Sequence, residues 1–124
     1  MHSDNWANKA KQMGYRSRAV FKLEEILKKI KFKTSFNNVL DIGSAPGGWS
    51  QYIIKNFPKS KVYAVDILDM EPIEGVFFFK KSIEEIDSIE PINNLKRKFN
   101  LVISDIAPNL SGIDAVDNEN VYML

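Results

Sequence analysis

The chain has 124 residues, 44% of them hydrophobic and 27% charged, with no cysteine and a single histidine, His2. A chain of this length and mixture makes one packed domain rather than a disordered segment. Disulfides, zinc–thiolate sites and thiol nucleophiles are excluded, and one histidine in an amino-terminal tail rules out histidine triads and His-rich metal sites.

No apolar run approaches the ~20 residues needed to cross a bilayer, and MHSDNWANKAKQMGY holds no apolar core of signal-peptide length. The formal net charge of +1 hides an uneven distribution. Residues 1–33 carry +6 and the remainder −5. Such a basic leading segment is either a polyanion-binding surface or a solvated helix face, and charge alone does not separate the two.

Two helices open the chain. The first is expected from about Ser3 to Met13, with sparse apolar positions (Trp6, Ala10, Met13) and Gly14 as its stop. The second is expected from near Ser17. Val20, Leu23, Leu27 and Ile30 recur at helical spacing, and Ala19, Phe21 and Ile26 widen the stripe. Arg18, Lys22, Glu25 and Lys29 occupy the other side.

From Asn38 the period changes. NVLDI, KVYAVDI, GVFFF and NLVISDIA are short runs rich in Val, Ile, Phe and Tyr, and they read as strands. Three of the four lack polar/apolar alternation, as strands covered on both faces do. WSQYIIKNF lies between the first two, with Trp49, Ile53 and Phe57 on one helix face. SIEEIDSIEPINNLKRKF is helical in parts and interrupted by Pro91. Strands alternating with helices give an α/β fold with a mostly parallel sheet. The closing VYML reads as the first turns of a further helix, with Asp117 as its N-cap, so the domain is expected to be incomplete at its C-terminus, truncated after the fourth strand.

The sequence VLDIGSAPGGWSQ (39–51) places Gly43, Gly47 and Gly48 directly after the first strand. In open α/β sheets, ligands bind beyond the carboxyl ends of the strands, and glycine there lets a ligand approach the backbone. GSAPGG is not G-x-G-x-x-G, and no G-K-[ST] follows, so a phosphate cradle is disfavoured. Asp41, Asp66 and Asp105 each end a strand and are expected at one rim. Asp66 stands ~20 residues beyond the loop, where Rossmann-type sites place an acid on ribose hydroxyls. A ligand with a ribose and a positive group suits this set, and S-adenosylmethionine has both. Each Asp alone is equally able to cap a following loop, and Trp49 serves a core as readily as a pocket.

RSRAVFKLEEI (16–26), VLDIGSAPGGWSQYI (39–53), VYAVDILDMEPIEGV (62–76) and LVISDIAPNLSGIDAVD (101–117) together resemble the FtsJ-type ribosomal-RNA 2′-O-methyltransferases. The resemblance implies a Rossmann-like class I methyltransferase fold, S-adenosyl-L-methionine as methyl donor and a ribose 2′-hydroxyl of ribosomal RNA as acceptor, with the APNLSGIDAVD stretch pointing to large-subunit RNA. Of the family's Lys-Asp-Lys-Glu catalytic set, Lys22 and Asp105 match the first two members. The remaining Lys and Glu belong to later strands, so this chain by itself is expected to be inactive. Cofactor contacts fall on Gly47, Trp49, Asp66 and Asp105, with Gly43 and Gly48 completing the loop. The family's adenine-contacting Asp aligns with Ser82, which puts that hydrogen bond in question.

Lys9, Lys11, Arg16 and Arg18 would hold RNA phosphates, making residues 1–33 a docking segment within one domain spanning 1–124. The resemblance further implies ribosomal RNA or a ribosomal subunit as partner, no membrane, no metal, a monomer at full length and a cytoplasmic location, with mitochondrial and nucleolar as alternatives. The family's full sheet runs 3-2-1-4-5-7-6. Four strands alone would leave the fourth as an unpaired edge and the chain marginally stable. A non-catalytic RNA-binding relic, a tRNA 2′-O-methyltransferase and a methyltransferase acting on small molecules or proteins remain as rivals.

Overall fold

The computed structural model describes residues 3–30, 36–104, 114–115 and 121–123. Helix α1 (Ser3–Gln12) ends in a turn that Gly14 completes at φ +85°. Helix α2 (Val20–Ile30) starts three residues later than its periodicity suggests. Ser17 holds the preceding turn, its Oγ accepting the Ala19 N–H at 3.1 Å. Val20, Leu23, Ile26 and Leu27 are buried, and Lys28 and Lys29 are exposed.

The strands β1 (Asn38–Ile42), β2 (Lys61–Asp66), β3 (Val76–Lys80) and β4 (Leu101–Ser104) pair in parallel in the order β3-β2-β1-β4. Successive residues of a strand face opposite sides, and both sides are covered. Val39, Val62, Leu101 and Ile103 meet α2 and α3 (Gly48–Asn56) through Leu23, Trp49 and Ile53. Leu40, Ile42, Val65 and Val102 meet Ile89, Ile92 and Phe99 on the other face. That side is built by a 3₁₀ helix (Ile83–Ser88) and α4 (Glu90–Asn94), where Pro91 stands in the first turn, a position that needs no N–H donor. The double coverage explains why the strand segments fail to alternate.

The end of the chain differs from expectation. Val121–Met123 is not the start of a helix but a strand, β6, antiparallel to β4 with Val102 opposite Tyr122. A two-residue strand β5 (Asp114–Ala115) pairs outside it. β4 is therefore not an open edge, and the sheet does not stop at its fourth strand. With β4 covered, marginal stability no longer follows from an exposed edge. An apolar strand satisfies its outer N–H and C=O groups by pairing, and Val-Tyr-Met suits a pleated surface at least as well as a helix. Asp117, the expected N-cap, lies outside the described residues.

Candidate cofactor rim

The carboxyl end of the sheet is built from the β1–α3 loop, the β2–β3 loop and the segment ahead of α2. Residues 43–45 lean on β2: the Gly43 and Ser44 N–H groups donate to the Val65 carbonyl at 2.8 and 3.2 Å. The Ala45 N–H donates to Asp66 Oδ2 at 2.8 Å, and the other oxygen of Asp66 accepts the Leu68 N–H at 2.9 Å. Asp66 thus pins two loops at the position where a ribose-binding acid is expected. Asp41 is buried inside the sheet and accepts the Ser50 hydroxyl at 2.6 Å, which ties β1 to α3.

Arg16 holds the opposite side of the rim. Its Nη1 donates to the carbonyls of Pro46 and Glu71 at 3.0 and 2.6 Å, and its Nη2 to that of Pro72 at 2.9 Å. The planar guanidinium reaches three carbonyls from two loops, a geometry that lysine's single ammonium does not reproduce. Gln51 fixes the same arm, accepting the Arg16 N–H and donating to the Gly14 carbonyl.

The glycines answer first to the chain itself. Gly47 has φ +118°, and a Cβ there would stand 2.8 Å from Ile73 Cδ1, 3.2 Å from Arg16 Nη1 and 3.3 Å from Met70 Sδ. At Gly48 a Cβ would meet Ser17 at 3.2 Å. Both make room for neighbouring segments, whereas the sequence pointed to room for a ligand. Gly43, at φ +76°, turns the chain out of β1. Trp49 combines its two expected roles: its ring is buried in the core, its Nε1–H donates to the Ala19 carbonyl at 2.7 Å, and it also walls a small recess.

That recess, of about 40 Å³, lies between the loop and the arm, lined by Ser17, Ala19, Asp41, Gly43, Ser44 and Trp49 among others. Ser44 is 5% exposed and its Oγ has no hydrogen-bond partner. Nothing in the sequence singles Ser44 out, since a serine in a glycine-rich turn is ordinary turn chemistry. An open groove of about 780 Å³ adjoins, sharing Ser17 and Pro46 with the recess. It gathers Lys11, Arg16 and Arg18, with Asp69 and Glu71 also in its wall.

Lys9 lies elsewhere, its Nζ 5.5 and 5.3 Å from the ring centres of Trp6 and Phe21. Lys22 sits on α2, one turn beyond Ala19. Lys28 and Lys29 pair with Glu24 and Glu25 one turn back, so part of the basic helix face is neutralised. Ser82 caps the 3₁₀ helix, its Oγ accepting the Glu84 N–H while Glu85 reaches back to its own N–H. Beneath the arm, burial pushes the Tyr52 hydroxyl above its usual pKa, with Glu24 and Tyr15 adding to the effect. Asp105 follows β4 directly and lies outside the described residues.

Known proteins share this sequence and architecture. A relative in Vesicomyosocius okutanii, named ribosomal RNA large subunit methyltransferase E, is 48% identical over 118 residues, covering 93% of this chain and 56% of that protein. Proteins of the same name in Francisella tularensis subsp. novicida and Hydrogenovibrio crunogenus are 41% and 42% identical, covering 98% and 92% of this chain. The chain spans between 56% and 61% of the length of these relatives. A crystal structure from Plasmodium falciparum, assigned as a ribosomal RNA methyltransferase, superposes with a TM-score of 0.62 at 32% identity, covering 79% of this chain and 59% of that one. The FtsJ-like methyltransferase family model matches residues 15–124, and the chain belongs to that family.

Proposed function

We propose that this chain carries the cofactor-binding and RNA-docking part of an S-adenosylmethionine-dependent methyltransferase acting on ribose 2′-hydroxyls of large-subunit ribosomal RNA. The observation that carries this is the 41–48% identity, over nearly the whole chain, to relatives named for large-subunit ribosomal RNA methylation. The rim residues fit the cofactor. Asp66 ends β2 with a half-buried carboxylate, and an unpartnered hydroxyl stands in the recess beside the loop.

When bound, S-adenosylmethionine supplies an activated methyl group on a sulfonium. The chain's task is to fix that group and bring a ribose oxygen to it in line. Asp66 would accept the ribose hydroxyls while keeping its hold on the Ala45 and Leu68 N–H groups, so the loop is set before the ligand arrives. Gly43, Gly47, Gly48 and Trp49 shape the surface beside it. Ser82, already engaged as a helix cap, offers only its remaining hydrogen-bonding capacity to an adenine edge. Lys22 would orient the acceptor ribose or tune the site, with Asp105 between it and the family's second catalytic lysine. The second lysine of the family's catalytic set would take the proton from the acceptor hydroxyl.

Lys11 and Arg18 in the groove, with Lys9 nearby in sequence, are the phosphate contacts. Arg16 is first a brace for the rim, and its remaining donors are what it can lend to RNA. Such contacts bind backbone without reading sequence, so target choice rests on RNA shape or a splayed loop. The protein acts as a monomer in the cytoplasm.

The test uses the protein containing this chain, ribosomal RNA and a donor labelled on its methyl. A 2′-O-methyl removes the nucleophile that alkaline cleavage requires, so alkaline digestion should leave the label in an uncleaved dinucleotide. Label in mononucleotides would move the reaction to a base. RNA binding with steep salt dependence but no transfer would favour a non-catalytic relic.

A further inference from the structure

We propose that the Ser44 hydroxyl is the hydrogen-bond acceptor for the α-ammonium group at the amino-acid end of the bound methyl donor; this rests on the cofactor reading above. Several other polar groups of the loop are already engaged. The N–H groups of residues 43 and 44 donate to Val65, that of Ala45 to Asp66, and the Pro46 carbonyl accepts from Arg16. Ser44 Oγ is the exception, buried without a partner in a protein whose other described buried side-chain polar atoms have one. Leaving a hydroxyl buried and unpaired is costly, so an unpaired one beside a binding loop asks for a ligand group.

Size and polarity point to the group. A recess of about 40 Å³ is far too small for a nucleoside but has room for a small polar head, since one water needs only ~10–15 Å³ of such space. An ammonium meets that limit. Asp41 is buried and lines the same recess, and a carboxyl group there suits a hydrogen-bond donor better than the methyl donor's own carboxylate. Ser44 therefore accepts, and its own proton is left to the ligand's carboxylate.

The test is calorimetric titration of S-adenosylhomocysteine and 5′-methylthioadenosine into the wild-type chain, Ser44→Ala and the near-isosteric Ser44→Cys. Both ligands carry the adenosine and sulfur, and only the first has the amino-acid end. Ser44→Ala should weaken S-adenosylhomocysteine roughly tenfold, as loss of a hydrogen bond to a charged group does, and methylthioadenosine by less than twofold. Ser44→Cys should follow Ser44→Ala, because thiol sulfur is a weak acceptor. An equal loss for both ligands would make Ser44 a shaper of the loop and overturn the proposal. Unchanged binding of both would leave it a buried-water site only and overturn the proposal as well. Should methylthioadenosine bind too weakly to measure, adenosine competition against S-adenosylhomocysteine supplies the comparison: a Ser44→Ala loss confined to S-adenosylhomocysteine supports the proposal, and an equal loss for adenosine overturns it. Thermal melting separates folding from binding: Ser44→Ala should melt at or above the wild-type temperature, since it removes an unsatisfied group. A folded wild-type chain that binds neither ligand would bring down the cofactor reading itself, a result distinct from any effect of Ser44.

Discussion

At the amino end of the sheet one side chain joins the two central strands. Asn100 Oδ1 accepts the N–H groups of Asn37 and Asn38 at 2.9 Å each, while its own N–H donates to Asn38, so β1 and β4 are stitched where they begin. At the carboxyl end the same task falls to Asp66, Arg16, Gln51 and Trp49, drawn from separate elements and turns. The two ends also treat left-handed backbone differently. The turn before β4 places Arg97 at φ 70° although it is not a glycine, whereas the β1–α3 loop puts a glycine at Gly47 and packs three side chains around it. The difference teaches that the amino end is joined simply and tolerates left-handed backbone in the open, while the carboxyl end is fixed by several interlocking side chains with no room to spare at Gly47.

The sharpest break of that contrast is at the glycines. Gly47→Ala should cost about 3 kcal/mol, combining ~1–2 kcal/mol for left-handed backbone with the overlap at Ile73. Gly14→Ala, also at positive φ but with nothing within 4 Å, should cost only about 1 kcal/mol. Urea unfolding of the two variants reads the gap directly, and equal losses would mean that crowding at Gly47 relaxes freely.

A middle-sized effect compares the braces. Arg16→Lys keeps the charge but loses the fork on three carbonyls and should cost about 1–2 kcal/mol. Asn100→Ala leaves two backbone donors to partly exposed surroundings, where water replaces the lost acceptor, and should cost about 1 kcal/mol. If Asn100→Ala proves the more damaging, the amino end is not the more forgiving one. The smallest effect carries the opposite sign. Arg97→Gly relieves a left-handed arginine on the surface and should raise stability by about 0.5–1 kcal/mol. A loss in the same unfolding assay would show that the Arg97 side chain makes a contact worth more than the strain.

Much of the fold is legible in the sequence because apolar period is a strong signal over short buried strands. The four parallel strands and the helix over WSQYIIKNF follow from it, and so does the order β3-β2-β1-β4 once the family resemblance is granted. Residues 121–123 mislead because three residues carry no period at all, and pairing with β4, not local preference, decides their state. In the rim, Asp66 is marked by its spacing from the glycines. The work of Arg16 leaves no such mark, since its partners lie 30, 55 and 56 residues away and are backbone carbonyls that any sequence would offer. Nor does Ser44 stand out, because being unpartnered is a property of its surroundings and not of the residue.

The clamp at Arg16 also sets an order of assembly. It joins an arm ahead of α2 to the β1–α3 loop and to Glu71 and Pro72 between β2 and β3. Those two loops come within reach of one another only after β1 and β2 have paired, and the arm arrives only when α2 has docked. The clamp is therefore among the last bonds to close during folding and among the first to release in a partial opening. In hydrogen exchange, amides of the rim should trade with solvent sooner than those of the β1–β2 ladder, leaving the sheet intact while the binding edge breathes.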